Sequence, residues 1–415
     1  MANALLTPTA ITAETLRIVH NQSAFLGRVN HDYEDNFATR NAKVGYSINI
    51  RKPVQFSVRS GPVANLQDVN EQFTSLTVQP EIGVDWYFSD ADLTMTIDKF
   101  SDRYLKPAAA RLATAVDMNI AALFSGMPNY TGTPGTSPAT ANSVLSAGTL
   151  LTNQAAPMTD RMLGINPLAN QTLVNGLAGF FNDQQKVGAQ YKSGMMAGNT
   201  LGFDEIFVSQ NMPTYTVGPQ GGTPLVNGAN QGLTNAGSTD NPAGATTSLV
   251  TNGWTAAAAL RLRAGDVITI AGVNAVNPDN KQDTGQLRQF VVTANASSDA
   301  SGNLTAVIAP AIVAGGAYQN VTARPASGAA VTVVSGTANT TYGQNIFWQK
   351  DAITFASVPM EVPNGVDMSS QTEQDGIHLR FIRDYDPINN RRICRFDILA
   401  AYGLIRPEWA GRLTS

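Results

Sequence analysis

Short alternating runs of apolar and polar residues fill the middle of the chain, whereas the two flanks carry longer helical and strand patterns. Residues 267–270, Val-Ile-Thr-Ile, form one such run, and β-branched runs between turn residues are typical of antiparallel strands. Helices favour Glu and Lys, yet no Glu occurs between Glu205 and Glu361, and Lys281 is the only Lys in residues 214–345. The pattern therefore predicts an inserted all-β, barrel-like domain over residues 214–345 within an α+β host.

The first 84 residues predict elements that have no hydrophobic core of their own. A helical pattern over residues 12–25, with Thr12 as the N-cap, lies in a predicted N-terminal arm of residues 1–42. Two runs of alternating apolar and polar residues then predict two strands. A long polar connection joins these strands, and together they form an extended hairpin over residues 43–84. Two strands are marginally stable alone in water, so we predict that the hairpin lies on an adjacent subunit. The predicted contact residues are Pro53, Phe56, Arg59, Leu66 and Asp68.

The strongest helical pattern covers residues 98–124, where apolar residues recur at steps of three and four. A helix of this length would be about 40 Å long, and Pro107 would either kink it or begin its regular part. We predict that this long helix lies within the segment 85–125. Its predicted core residues are Leu105, Leu112, Val116 and Ile120.

The composition of the 415-residue chain excludes several classes of protein. Charged residues make up 14% of the chain, the net charge is −4, and no basic stripe is present, so a dedicated nucleic-acid reader is not expected. Cys394 is the only cysteine, which rules out an intrachain disulfide and suits a reducing cytoplasm. We expect neither a signal peptide nor a membrane span. Residues 126–213 and 346–415 predict an α+β body around the insertion.

Candidate catalytic residues are few and scattered. His20, His31 and His378 are the histidines, and none is close in sequence to Cys394. No zinc-binding or redox motif is present, so the sequence predicts neither an enzyme nor a bound metal or cofactor. The paired acids near the C-terminus lie beside Arg391, Arg392 and Arg395, and we expect these side chains to form ion pairs.

The order of these elements and several short motifs resemble one family of viral proteins. The motifs are Ala-Ala-Arg-Leu-Ala at 109–113, Gly-Phe-Asp-Glu at 202–205, Met-Pro at 212–213, residues 263–273, residues 345–353, Cys-Arg at 394–395, Tyr-Gly at 402–403 and Arg-Pro-Glu at 406–408. The chain resembles the major capsid proteins of tailed double-stranded-DNA bacteriophages with the HK97-type fold. In particular, it resembles the P22 coat protein type, which carries an inserted β-barrel domain.

This resemblance implies that the helix of residues 98–124 is the spine of a peripheral domain over residues 85–125. It also implies a structural protein that assembles with itself as pentamers and hexamers into an icosahedral head. The implied partners are a scaffolding protein and a portal protein, and double-stranded DNA would be enclosed without specific binding. The resemblance also implies assembly in the host cytoplasm and a final location in the virion. In this family, a charged loop of the insertion reaches the neighbouring capsomer. The matching stretch, residues 226–244, has Asp240 as its only charge, so charged bridges of that kind are not expected.

Three other readings remain open from the sequence. A bacterial nanocompartment shell protein would share the fold but lacks such an insertion. An extracellular adhesin would explain the Thr, Asn and Gly content of the middle, but it would need a secretion signal. A hydrolase with a β-rich accessory module would need a nucleophile, a base and an orienting group, which the scattered histidines do not offer.

Overall fold

A computed structural model describes most of the chain. The described residues are 8–32, 47–56, 58, 61–63, 66, 72–89, 104–177, 201–232, 247–374 and 376–415. The chain divides into two compact units. The first unit comprises Met1–Ile48, Ser75–Ile120 and Ile353–Gly403, and the second comprises Asn49–Thr74, Ala121–Ala352 and Leu404–Ser415.

The described ranges contain both helices and many strands. The α-helices are α1 (Pro8–Gln22), α2 (Lys106–Ala121), α3 (Ala141–Asn153) and α4 (Pro167–Leu177). The strands are β1 (Ser47–Lys52), β2 (Gln72–Thr77), β3 (Ile82–Ser89), β4 (Asn129–Thr131), β5 (Arg161–Ile165), β6 (Glu205–Val208), β7 (Thr214–Thr216), β8 (Gly222–Val226), β9 (Thr247–Trp254), β10 (Ala259–Leu262), β11 (Val267–Val276), β12 (Asp283–Val292), β13 (Ala296–Ser298), β14 (Leu304–Ala309), β15 (Val331–Val333), β16 (Thr341–Gln349), β17 (Ile353–Ser357), β18 (Met368–Gln374), β19 (Ile377–Asp386), β20 (Arg391–Ile398), β21 (Ala400–Leu404) and β22 (Ala410–Thr414).

The first unit is built on a four-stranded antiparallel sheet in the order β18-β19-β20-β3. Alternation along these strands places apolar side chains on one face. On that face Phe396 packs against Phe381 and Trp86, with ring centroids 5.0 and 5.3 Å away. Helix α1 contacts β18. The unit's core therefore lies on one side of this sheet.

Helix α1 begins earlier than the sequence pattern indicated. It starts at Pro8, so Thr12 lies inside the helix and the prediction of an N-cap at Thr12 is wrong. The Thr12 hydroxyl is buried and shares a hydrogen bond with the Ser370 hydroxyl of β18. This threonine was misread because a polar residue that faces a neighbouring strand looks, in sequence, like a polar residue that caps a helix.

The spine helix is described from Lys106 onward. Pro107 is the second residue of α2. It therefore begins the regular part of the helix and does not kink it. The α-helix ends at Ala121, and a 3₁₀ segment, Ala122–Gly126, follows it. Residues 98–103 of the predicted helix lie outside the described residues. The side chains of Leu105, Leu112, Val116 and Ile120 are all buried.

The body sheet of the second unit has the strand order β4-β22-β16-β5-β6. The C-terminal strand β22 lies between β4, which is parallel to it, and β16, which is antiparallel. Helices α3 and α4 contribute Val144, Leu151 and Leu173 to a core that also contains Phe203 and Phe347. Ring packing between the two phenylalanines is edge-on, with centroids 6.5 Å apart.

The insertion folds as a closed antiparallel barrel. Its strands follow the order β15-β11-β12-β14-β9-β8, and a bridge between Leu225 and Ala330 joins β8 back to β15. The Val226 amide also donates to the Ala329 carbonyl at 2.9 Å. Apolar side chains from all six strands, with Phe290 among them, fill the interior. The predicted α+β class with an all-β, barrel-like insertion is confirmed.

We predict that residues 214–345 fold when expressed alone. The barrel has its own apolar core and closes its own sheet edges, which are the two requirements for an independent domain. Circular dichroism should show a β-type spectrum and a cooperative thermal transition. Phe290→Ala should destabilise this fragment by about 3–5 kcal/mol, and Leu287→Ala, at an exposed position of the same strand, is the control. A disordered spectrum would contradict the prediction.

Candidate assembly elements and the insertion junction

The predicted hairpin exposes apolar side chains. Strands β1 and β2 form a two-stranded sheet, and the connection between them carries Phe56 at 61%, Val58 at 100% and Leu66 at 94% exposure. Pro53 is exposed as well, whereas Arg59 and Asp68 lie outside the described residues. The sequence reading treated this connection as polar because its apolar residues occur singly, without a period. Single exposed residues are common, but several on one projection mark an interaction site.

The base of this hairpin is anchored by buried side chains. Ile50 and Lys52 alternate with exposed residues along β1, and both are buried. Burial lowers the pKa of the Lys52 ammonium, and the nearby Glu408 carboxylate acts in the opposite direction. Strand β1 therefore has one buried face at its base, which holds the start of the exposed segment in place.

A buried carboxylate ties the segment after α1 to the spine helix. Asp117 of α2 accepts hydrogen bonds from the Ser23 hydroxyl, from the Ala24 amide at 2.9 Å and from the Phe25 amide at 3.2 Å. Asp117 is buried, and a carboxylate is stable there only because several donors point at it. Sequence reasoning missed this residue, since an acid within a long helix is usually on its exposed face.

Two side chains of β12 join the barrel to the body. The Arg288 guanidinium is buried and donates to the side-chain oxygen of Gln154, which follows α3. Burial lowers the pKa of Arg288 to about 10. Next to it, the Gln289 amide accepts from the Tyr130 amide at 2.7 Å and donates to the Tyr130 carbonyl at 2.7 Å. Both contacts connect a barrel strand with the body.

Arg412 of β22 occupies the centre of the junction. Its Nη2 donates to the carbonyls of Gly265 at 2.7 Å and Met127 at 3.3 Å. Its guanidinium carbon also lies 5.6 to 5.7 Å from three aromatic ring centroids. These rings belong to Phe124, Tyr130 and Tyr215. Burial lowers the pKa of Arg412 to about 10, so the group remains charged near neutral pH.

Asp266 organises the neighbouring loop of the barrel. Its buried carboxylate accepts from the Arg263 amide at 2.8 Å, the Ser335 hydroxyl at 3.0 Å and the Gly218 amide at 3.2 Å. The pKa of Tyr215 is raised by burial and, to a smaller extent, by this carboxylate. The loop that presents the Gly265 carbonyl to the body is therefore held by a satisfied carboxylate.

Cys394 and His31, two of the candidate catalytic residues, lie in packed surroundings. Burial raises the pKa of the Cys394 thiol to about 11, so it is protonated at neutral pH and is a poor nucleophile. His31 packs edge-on against Phe355, with ring centroids 5.7 Å apart. Within the described ranges, no three His, Cys, Asp or Glu side chains are arranged to hold a metal ion, and no helix there is long and apolar enough to cross a membrane.

The C-terminal arginines form the expected ion pairs. Arg391 contacts Asp386 at 3.1 Å and Arg395 contacts Asp397 at 2.6 Å. Arg392 pairs instead with Asp367 at 2.8 Å, a partner that is 25 residues away in sequence. The Arg391–Asp386 pair joins β20 to β19, the Arg395–Asp397 pair lies within β20, and Asp367 directly precedes β18. Each of these three arginines therefore has an acidic partner.

Comparison with known proteins identifies the family. A family model described as P22 coat protein, gene protein 5, matches residues 21–414. A major capsid protein of Acyrthosiphon pisum secondary endosymbiont phage 1 is 26% identical over 159 residues. That alignment covers 36% of this chain and 37% of the relative, so the chain spans little more than a third of the curated relative it matches.

Similar solved structures include those of two phages and of one coat protein domain. Mycobacterium phage Che8 gives a TM-score of 0.48 at 14% identity, covering 94% of this chain and 90% of the other. The capsid structure of cyanophage P-SCSP1u gives a TM-score of 0.42 at 12% identity and covers 90% of this chain and 84% of the other. The CUS-3 coat protein I-domain is 28% identical with a TM-score of 0.21, covering 28% of this chain and 99% of that domain. On the strength of the family match, the chain belongs to the P22 coat protein family.

We predict that Asp117→Ala destabilises the unassembled subunit by at least about 2 kcal/mol, because it leaves three donors, the buried Phe25 amide among them, without their acceptor. Chemical denaturation of the monomer would measure this loss. Met118→Ala is the matched control, since Met118 is the next residue of α2 and is exposed. Equal unfolding midpoints for the two variants would show that the Asp117 contacts contribute nothing to stability.

We also predict that His378 makes the unfolding free energy depend on pH. Burial lowers the pKa of His378, and Glu373 partly opposes this shift. The unfolded chain therefore binds a proton at a higher pH, near the ordinary value of about 6.5. Stability from this site is complete above that pH and is lost as the pH falls from it towards the folded pKa. Denaturation at about pH 7.5 and about pH 5.5 should show a smaller difference for His378→Leu than for wild type. An equal difference in the two proteins would contradict the prediction.

Proposed function

We propose that copies of this member of the P22 coat protein family assemble as pentamers and hexamers into a closed icosahedral head around double-stranded DNA. The observation that carries the proposal is the exposed apolar connection of the β1–β2 hairpin. Phe56, Val58 and Leu66 have no cover within the described residues. Their burial against another copy would contribute about 1.5–3 kcal/mol for each large side chain.

The charge distribution supports broad and individually weak contacts between subunits. Only 14% of residues are charged, and the net charge is −4. Interface centres are typically depleted in charge, so an uncharged surface suits a subunit that meets both five and six neighbours. An acidic chain without a basic patch would confine DNA rather than bind it at specific sites.

The proposed role is mechanical and includes no catalytic step. The protonated thiol of Cys394 and the local ion pairs of the C-terminal arginines support this view. We extend the proposal to a scaffolding protein and a portal protein as partners, because a family member that closes a DNA-containing head requires both a template and an opening. Assembly would take place in the host cytoplasm.

We predict that purified wild-type chain forms closed shells or tubular polymers above a threshold concentration, as seen by negative-stain microscopy. Phe56→Ser combined with Leu66→Ser should raise that threshold by at least about tenfold, since the lost burial exceeds the equivalent of one decade in affinity. The variant should remain folded, because neither side chain is buried in the subunit. Its circular dichroism and melting curve should therefore match wild type.

Val250→Ser is the control for lost apolar surface, because Val250 is a partly exposed residue on barrel strand β9. A wild-type chain that stays monomeric under all conditions would refute the proposed assembly. Normal shells from the hairpin variant would refute only the role of the hairpin. Shells that never enclose DNA in infected cells would favour the nanocompartment alternative.

A further inference from the structure

Strand β4 places an edge of the body sheet next to the barrel. Among the described strands, β4 pairs only with β22, in the parallel register Tyr130 opposite Arg412. In a strand of three residues, the backbone groups of alternate residues point to opposite sides. Asn129 and Thr131 therefore face β22, and Tyr130 alone directs its N–H and C=O away from the sheet. An unpaired edge of this kind can pair with a strand of another chain.

The side chain of Gln289 occupies this edge. Its oxygen accepts from the Tyr130 N–H at 2.7 Å, and its nitrogen donates to the Tyr130 C=O at 2.7 Å. These are the two hydrogen bonds that a neighbouring strand would make at this position. A primary amide carries a donor and an acceptor side by side in a plane, as a peptide group does, whereas Glu lacks the donor and Lys lacks the acceptor.

Both partners of this contact are fixed by buried neighbours. Gln289 lies between Arg288 and Phe290, which are buried on either side of it in β12. The Tyr130 hydroxyl donates to the Ser335 carbonyl at 3.2 Å, and its ring lies beside the Arg412 guanidinium. The amide is thus held against the edge by groups that have other anchors, which gives the contact a low entropic penalty.

We propose that Gln289 caps the edge of the body sheet and so prevents β4 from pairing with a strand of a second copy of this chain. The barrel would in this way block one wrong mode of association before the correct one takes place. This inference goes beyond shell building and is tested on the unassembled subunit, so it stands or fails separately from the proposed assembly.

Hydrogen exchange of the unassembled full-length chain gives the first test. In wild type, the Tyr130 amide should be protected to a similar degree as amides within β22. In Gln289→Met, it should exchange about tenfold faster, which corresponds to the loss of a typical hydrogen bond. Gln286→Met adds the same apolar group at an exposed position of β12 and should leave the exchange rate unchanged. A Tyr130 amide that exchanges freely in wild type overturns the proposal without any variant.

Association of the same variants gives the second test. Gln289→Met should form soluble oligomers with an intermolecular β-sheet infrared band, below the concentration at which shells form. Gln289→Lys cannot accept from the Tyr130 N–H but places a charge at the edge, which discourages strand pairing. It should therefore show the faster exchange without the oligomers. Oligomers from Gln286→Met as well, or from neither Gln289 variant, would show that Gln289 does not guard this edge.

Discussion

The second unit depends on the burial of one positive charge. Arg412 is fully buried, and removing a guanidinium from water carries a penalty of several kcal/mol. Two carbonyls and three aromatic faces offset that penalty. These groups come from the 3₁₀ segment after α2, from β4, from β7 and from the loop before β11. Because Arg412 contacts groups of both the body and the barrel, it links the stability of the body sheet to that of the barrel.

Polar side chains make the contacts that join the barrel to the body, whereas the exposed side chains of the hairpin are apolar and available for contacts with other molecules. At the junction, Arg412, Arg288 and Gln289 reach specific acceptors or donors across the boundary. Polar contacts of this type are directional, so they fix one arrangement and penalise others. On the hairpin, by contrast, Phe56 and Leu66 are apolar and exposed. Apolar contact is not directional, which suits the proposed contacts of the hairpin with neighbouring copies at more than one angle.

The sequence patterns predicted the classes of structure but not the contacts that join them. The spacing of apolar residues in the spine helix and the alternating apolar and polar residues in the middle of the chain predicted the α+β class and the inserted barrel. Such periodicity indicates which face of a helix or strand is buried. Asp117, Gln289 and Arg412 could not be found in this way. Each is a polar residue whose partner lies far away in sequence, 159 residues away for Gln289. The same limit explains Thr12, which contacts Ser370 rather than capping α1.

The barrel is attached to the body through a shared strand and side-chain contacts rather than through a linker alone. Its two ends are adjacent, because Thr341 of β16 pairs with Thr216 of β7. Strand β16 then continues without a break into the body sheet, where Trp348 pairs with Met162 of β5. A rotation of the barrel about a linker would therefore have to break either this ladder or the contacts of Arg412. In a shell subunit, such a connection transmits the position of the barrel directly to the sheet, so that forces between neighbours act on one body.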